Sequence, residues 1–195
     1  GGNVTFSSPT MPLNGCTYSG TSSFTKTGTT NDASTGGNTF TGVSTIVNSG
    51  SGIMYMANTA ATPDNFMSDL TATNNGSGSI NLAYNAPGNL FGGDVIFNNS
   101  ANGSTNQISI AYNTNSTAAI TGNLTMNNTG SGVANTVALA YNGNTSITVG
   151  GNVIITNASS GTGNNYAYIA NSGSATNTGS LTVTNSASGT NSAIT

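Results

Sequence analysis

The chain has 195 residues, of which one is Lys or Arg, four are Asp or Glu and none is His. Charged residues make up only 3% of the chain, against roughly 25% in an ordinary globular domain. One basic residue cannot neutralise a phosphate backbone or an anionic membrane surface, so nucleic acid and charged lipid are excluded as partners. No apolar run of about 18 residues is present, so membrane insertion is not predicted.

One unit recurs along nearly the whole sequence. Each copy opens with a five-residue segment, and these segments begin at Val4, Ser22, Ser44, Leu70, Val95, Leu124, Val153 and Leu181. Gly or Ser stands two residues before each segment, and most copies carry an aromatic or aliphatic residue four before, as at Phe40 and Val149. Apolar and polar side chains alternate within most segments, which predicts β-strands.

A second short alternating segment follows the first from the third copy onward. It leads to an alanine in each copy, namely Ala57, Ala83, Ala111, Ala140 and Ala170. The copies recur every 25 to 29 residues between Phe40 and Val149, and their length differences fall in Gly-, Ser-, Asn- and Thr-rich stretches such as 159–165. Variation that is confined to one turn is typical of a solenoid.

The repeat predicts an all-β fold, a right-handed parallel β-helix of six to eight coils with two or three short strands per coil. Its handedness follows the general preference for right-handed crossovers. We expect a single domain over residues 1–195, less regular in 1–36 and regular in 37–195. Both ends fall within a copy and carry no cap, so we expect an excerpt of a longer array or a unit that stacks end to end.

An asparagine closes the first segment in most copies. The members of this column are Asn48, Asn74, Asn99, Asn128, Asn157 and Asn185. They share the inward parity of the apolar residues, and equivalent residues of stacked coils lie about 4.8 Å apart, so the column predicts a hydrogen-bonded amide ladder. The alternative is a solvated turn asparagine. Lys26 takes this position in the second copy, where we expect a distorted coil or one close to an end.

Few residues have side chains that could take part in catalysis or metal binding. Asp69 and Asp94 each precede a first segment, so they are expected to be neighbours in one column. They are interpreted as two solvated carboxylates, with a weak Ca²⁺ site as the alternative and a catalytic pair as the least favoured one. Without His or Arg to bind an acidic sugar or shift a pKa, we predict no enzymatic activity and no cofactor other than possible Ca²⁺. Cys16 is expected to be a small buried apolar residue.

Three tyrosines, Tyr84, Tyr112 and Tyr141, follow the marker alanine in successive copies, and Asn58 and Asn171 replace them in the flanking copies. Aromatic residues beside asparagine could form a carbohydrate-binding strip. The alternative is that the rings stack on one another at a corner and stabilise it.

Outward threonines suggest a further class, the ice-binding solenoids. The pairs Thr71/Thr73 and Thr182/Thr184 are regular, whereas other copies carry combinations such as Ile96/Asn98. The row is irregular, so ice binding ranks behind the other functions.

The stretches "GNLTMNNTGSG" at 122–132 and "ISIAYN" at 108–113 carry a resemblance. They resemble the long repeat regions of very large secreted or surface proteins of Bacteroidota, and Gly2–Phe6 and Met11–Gly15 share that character. The resemblance implies export by the type IX system and a role in adhesion or fibre formation, with no catalytic residues. We therefore predict an extracellular structural protein that self-associates end to end or laterally. A surface-glycan-binding module is the alternative function.

Overall fold

The computed structural model describes residues 2–195, and this part of the chain folds into β-strands and turns without a helix. The strands in chain order are β1 (Val4–Ser8), β2 (Thr17–Tyr18), β3 (Ser22–Lys26), β4 (Asp32–Ala33), β5 (Thr39–Phe40), β6 (Ser44–Asn48), β7 (Met54–Tyr55), β8 (Asn65–Phe66), β9 (Leu70–Asn74), β10 (Ile80–Leu82), β11 (Asn89–Phe91), β12 (Val95–Asn99), β13 (Thr105–Ile110), β14 (Thr117–Ile120), β15 (Leu124–Asn128), β16 (Ala134–Leu139), β17 (Ser146–Val149), β18 (Val153–Asn157), β19 (Asn164–Ile169), β20 (Ser174–Asn177), β21 (Leu181–Asn185) and β22 (Asn191–Ile194).

These strands form three parallel sheets that run the length of the solenoid. The first sheet has the order β1-β3-β6-β9-β12-β15-β18-β21, the second β4-β7-β10-β13-β16-β19-β22, and the third β2-β5-β8-β11-β14-β17-β20. A regular coil passes through the first, second and third sheets in turn, as β12, β13 and β14 do. The prediction of an all-β parallel β-helix with six to eight coils is confirmed, with three strands per regular coil.

The first sheet keeps one register throughout. Leu70 pairs with Val95, and Val95 pairs with Leu124, although the two coils differ in length by several residues. The turns β9–β10 and β12–β13 both contain five residues. The longer coil has longer strands instead: β13 has six residues against three in β10, and β14 has four against three in β11. The turn between β18 and β19 contains six residues and so adds one. The prediction that length variation is confined to one turn is therefore wrong, because most of the extra residues lengthen the strands of the second and third sheets.

The core is a stack of inward side chains from all three sheets. In the third sheet, the rings of Phe40 and Phe66 lie 4.3 Å apart and those of Phe66 and Phe91 lie 5.2 Å apart, nearly parallel in both pairs. The other two sheets contribute Ile46, Leu70, Phe97, Ile108, Ile110, Leu124, Met126, Leu139 and Ile155, all with at most 1% of their surface exposed. Burying a large side chain of this kind stabilises the fold by about 1.5–3 kcal/mol.

The glycine column before the first sheet has a steric cause. A Cβ added at Gly122 would lie 2.6 Å from the carbonyl oxygen of Gly93, and one added at Gly151 would lie 2.6 Å from that of Gly122. Successive coils approach each other at this corner too closely for a side chain. Glycine fits this close approach in most coils, and Ser68 takes the position in the coil that begins at Leu70.

The alanine column forms a second corner, which the sequence pattern did not reveal. The second-sheet strand β13 ends at Ile110, and Ala111 adopts a left-handed backbone with φ of 53°. The column shares this backbone, with φ between 47° and 58° at Ala57, Ala83, Ala111, Ala140 and Ala170. A left-handed residue other than glycine costs about 1–2 kcal/mol. Alanine at this position supplies a buried methyl group while keeping the side chain small.

Lys26 occupies the asparagine column and is fully buried. Its ammonium group lies 2.9 Å from Asp32 Oδ2 and donates to the carbonyl oxygens of Pro9 at 3.0 Å and Thr30 at 2.5 Å. Asp32 also accepts the backbone N–H of Met11 at 2.9 Å. Three acceptors satisfy the three ammonium hydrogens, so the buried charge is fully partnered.

Of the two alternatives for the coil at Lys26, a distorted coil is wrong. All five residues of β3 pair in register with β1 on one side and β6 on the other. The ion pair replaces the amide contacts without disturbing the backbone.

We predict that Ala111→Val destabilises the fold by about 2–4 kcal/mol, because a β-branched residue is strained in left-handed backbone and overfills a buried corner. Urea unfolding followed by circular dichroism measures the loss. Ala119→Val, at a partly exposed strand position of β14, is the matched control. Equal losses in the two variants would contradict the corner assignment.

Candidate functional site

The predicted amide ladder runs through the interior from Asn74 to Asn185. Each side chain donates one amide hydrogen to the Oδ1 of the next, with N–O distances of 3.2 Å (Asn74–Asn99), 3.0 Å (Asn99–Asn128), 2.8 Å (Asn128–Asn157) and 3.1 Å (Asn157–Asn185). The remaining amide hydrogen goes to a turn or strand carbonyl, such as that of Asn135 for Asn128 at 3.1 Å. The side chains from Asn74 to Asn157 are fully buried, so the solvated-turn alternative is wrong.

Asn48 shares the column but does not join the side-chain ladder. Its amide group donates to the carbonyl oxygens of Gly52 at 2.9 Å and Ser79 at 3.0 Å. Both amide hydrogens are thereby used on backbone, and Asn74 Oδ1 is left without a hydrogen-bond partner. The prediction that all six asparagines form one ladder is corrected at this position.

The structure contains a second buried asparagine ladder that the sequence analysis did not predict. Asn106 donates to Asn135 Oδ1 at 3.2 Å, and Asn135 donates to Asn165 Oδ1 at 3.1 Å. Each of these asparagines stands five residues before a corner alanine, within stretches that read as variable turns. The fixed distance from the alanine column is the signal that would have found them.

Asp69 and Asp94 lie next to each other, as the column predicts. Asp69 Oδ1 accepts the backbone N–H of Asp94 at 2.9 Å, and Asp94 Oδ1 accepts that of Asn123 at 2.8 Å. Asn123 and Asn152 continue the pattern toward Ser180. Here each side-chain oxygen holds the backbone of the next coil, which gives both carboxylates a structural contact. Ca²⁺ binding by this pair stays a prediction.

Asp64 is the one buried carboxylate among the residues described that has no basic partner. Asn38 donates its backbone N–H and its amide to Asp64 Oδ1 at 2.9 and 2.8 Å, and Asn89 Oδ1 accepts the backbone N–H of Asp64 at 2.8 Å. The other oxygen, Oδ2, is buried without a hydrogen-bond partner. Burial raises the pKa of Asp64 to about 6, although contacts from Asn38 and the Ala57 backbone act in the opposite direction.

Tyr84, Tyr112 and Tyr141 stack along one corner, and the stack extends further than the sequence suggested. The ring centroids are separated by 4.5 Å (Tyr55–Tyr84), 5.7 Å (Tyr84–Tyr112), 5.0 Å (Tyr112–Tyr141), 5.2 Å (Tyr141–Tyr168) and 5.0 Å (Tyr168–Tyr166). We call these six residues the tyrosine ladder. The alternative of rings stacked at a corner is confirmed.

The tyrosine ladder is continuous because two positions exchange roles. Coils with a corner tyrosine carry a small or amide residue at the outward position of the second sheet, whereas coils with a corner asparagine carry tyrosine there. The outward positions are Tyr55, Asn81, Ser109, Ala138 and Tyr168, and the corner positions are Asn58, Tyr84, Tyr112, Tyr141 and Asn171. The outward residues beneath the corner rings, Asn81, Ser109 and Ala138, are buried. Each coil thus supplies a ring to one shared line.

The stacking limits what the tyrosines can bind. The rings of Tyr112 and Tyr141 are nearly parallel, at 3°, so each covers a face of the other. A sugar ring stacks on an open aromatic face, so along the middle of this ladder it would meet ring edges and hydroxyl groups. Burial and the neighbouring phenols Tyr141 and Tyr84 raise the pKa of Tyr112 above its ordinary value. Carbohydrate binding by these residues stays a prediction.

Cys16 is exposed, which corrects the expectation of a buried apolar residue. It lies just before β2, and its thiol contacts the carbonyl oxygen of Asn14 at 3.5 Å. Burial raises the pKa of the nearby Tyr18 to about 12, and contact with Cys16 adds to this shift.

The outer face of the third sheet carries a groove of about 460 Å³. Its lining is uncharged and includes Asn65, Leu90, Thr117, Ala119, Ser146 and Thr148. Amide and hydroxyl groups of this kind could contact a neutral polar ligand. Within residues 2–195, no three His, Cys, Asp or Glu side chains come together as a metal-binding group.

No protein-family model, curated protein or solved structure matches the chain. Among residues 2–195, no helix is long and apolar enough to cross a membrane.

We predict that Asn128→Asp destabilises the fold by about 3–5 kcal/mol at pH 7, because the new carboxylate is buried and opposes two acceptors, Asn135 O and Asn157 Oδ1. The loss should shrink at pH 4, where protonation removes the charge. Urea unfolding at the two pH values measures both effects. Asn127→Asp, a half-buried outward neighbour, is the control and should cost less than about 1 kcal/mol; a similar cost in both variants would contradict the ladder.

Asp64 should make the fold less stable as the pH rises from about 4 to about 6. Its folded pKa is raised from 3.8 to about 6, so over this range the unfolded chain loses its proton first, and the free energy of unfolding falls by about 3 kcal/mol. Asp64→Asn should raise the melting temperature at pH 7.5 and leave it nearly unchanged at pH 3.5. Asp94→Asn, an exposed carboxyl outside this site, is the control. A stabilisation that is equal at both pH values would contradict the raised pKa.

Proposed function

We propose that the chain is a structural segment of an extracellular or cell-surface fibre or adhesin stalk. The observation that carries the proposal is that coil-to-coil hydrogen bonds run along the solenoid axis on every side and through the interior. The three parallel sheets supply them at the surface, and the ladder from Asn74 to Asn185 supplies them inside. A rod with this axial network resists extension without any metal or disulfide.

The terminal coils present surfaces that further coils can cover. Phe6 in β1 is 49% exposed, and Leu181 and Val183 in β21 are 55% and 42% exposed, although their column mates in the interior are buried. Among the residues described, β1 and β21 are the outer strands of the first sheet, and a further strand could pair along their outer edges. In a fibre, the edges would join separate copies; in a stalk, they would join coils of one polypeptide.

The composition supports persistence outside the cell. Lys26 is the only basic side chain, and it is fully buried in an ion pair with Asp32. Proteases that cleave after Lys or Arg therefore have one site in the chain, and folding hides its side chain. The abundance of small uncharged residues also removes the charge repulsion that would oppose lateral packing.

The test is the concentration dependence of assembly. We expect rods that lengthen as the protein concentration rises, seen by negative-stain electron microscopy and as faster-sedimenting species in analytical ultracentrifugation. Val183→Lys places a charge on the exposed end of the core and should abolish this growth. Val133→Lys changes another exposed valine, which lies in a side turn and is 53% exposed, and should leave end-to-end growth intact.

Monomers at millimolar concentration would overturn end-to-end self-association. Loss of growth in the Val133→Lys variant alone would instead place the contact on the side of the solenoid.

A further inference from the structure

The outer face of the first sheet carries two parallel files of outward side chains, here named the hydroxyl-methyl face. The first file contains Thr5, Ser23, Thr45, Thr71, Ile96, Thr125, Ile154 and Thr182. The second contains Ser7, Thr25, Val47, Thr73, Asn98, Asn127, Thr156 and Thr184. Most of these residues are Thr, Ile or Val, and none is charged.

The backbone fixes the spacing of this face. The eight strands of the first sheet pair in register, so neighbours in a file lie about 4.8 Å apart, and the two files lie about 6.6 Å apart. β-Branched side chains have few χ1 rotamers, so their methyl and hydroxyl groups hold defined positions. The positions on this face are therefore evenly spaced in two dimensions, although the residue type varies from coil to coil.

The hydroxyl groups of the face are free to bind water. Across residues 2–195, the threonines in the two files make no side-chain hydrogen bond to protein, whereas other threonines do. Thr41, Thr121 and Thr178, at the corner before the first sheet, each donate to a carbonyl oxygen of the preceding coil. The hydroxyls of the face keep their full hydrogen-bonding capacity for solvent.

The other two faces have different shapes. The tyrosine ladder covers the second sheet, and a groove indents the third. The carboxylates Asp69 and Asp94 lie beside the first file, outside it. Asn98 and Asn127 bond to each other at 3.0 Å and interrupt the second file, so the first file is the more continuous of the two.

We propose that the hydroxyl-methyl face binds the surface of ice. Methyl groups restrict the orientation of first-shell water, and the neighbouring hydroxyls hold those waters through hydrogen bonds. A regular array without charges can order this layer into a lattice that merges with a growing crystal. The ligand is crystalline water, and its recognition is independent of the proposed stalk or fibre role.

The test is thermal hysteresis, measured by nanolitre osmometry with observation of crystal shape. The wild-type chain should depress the freezing point below the melting point and give faceted crystals. Thr71→Lys and Thr125→Lys place a long charged side chain in the centre of the first file and should each remove most of the hysteresis. Thr136→Lys makes the same change on the outer face of the second sheet and should keep it.

Circular dichroism melting curves establish that all three variants remain folded, so a loss of hysteresis can be assigned to the face. Absence of hysteresis and of crystal shaping in the wild-type chain would overturn the proposal. An equal loss in Thr136→Lys would also overturn it. Dimers without hysteresis, dissociated by Thr71→Lys, would assign the face to contact between copies.

Discussion

Stacking in register is the constraint on which the rest of this molecule depends. A residue in one coil has the equivalent residue of the next coil as its nearest neighbour, as Leu70 has Val95 and Val95 has Leu124. Any polar group placed inside must therefore find its partner in the coil above, the coil below or its own turn, because burying it unpaired costs about 1–3 kcal/mol. Asparagine meets this demand because its amide both donates and accepts along the axis.

Where asparagine is absent from the interior column, the replacement follows the same rule. The side chain of Lys26 carries no acceptor atom, so it cannot continue an amide ladder. Its three ammonium hydrogens go to Asp32 and to two carbonyl oxygens. Asp64 interrupts a different file, between Asn38 and Asn89, and one of its oxygens stays without a partner. Burial removes the solvent that would stabilise the charged carboxylate, and this raises the pKa of Asp64.

Period-2 alternation identified the strands and the inward residues Leu70 and Ile80, because each strand alternates between core and surface. The ladder asparagines followed from the same parity. The pattern could not show that Ala111 turns the chain with a left-handed backbone, since alanine also fits a strand. Nor could it show that Tyr55 and Tyr84 belong to one stack. Tyr55 stands before the alanine of its copy and Tyr84 after the alanine of the next, so the two positions in the repeat do not align, and only the structure shows that the rings meet.

The inward and outward surfaces obey different rules. Inside, the neighbouring coils constrain each residue: most members of the inward columns are apolar, and where Ser22 and Ser44 share a column with Leu70 their hydroxyl groups bond to each other. Outside, only strand propensity and the neighbouring side chain act, so the three faces can diverge into stacked phenols, a shallow groove and free hydroxyls. A threonine in a strand has high β-propensity even when its hydroxyl group bonds to no protein atom. Thr121, in contrast, donates its hydroxyl hydrogen to the carbonyl oxygen of Gly92. A face whose hydroxyl groups make no hydrogen bond to protein can bind an ordered surface without breaking any contact that stabilises the fold.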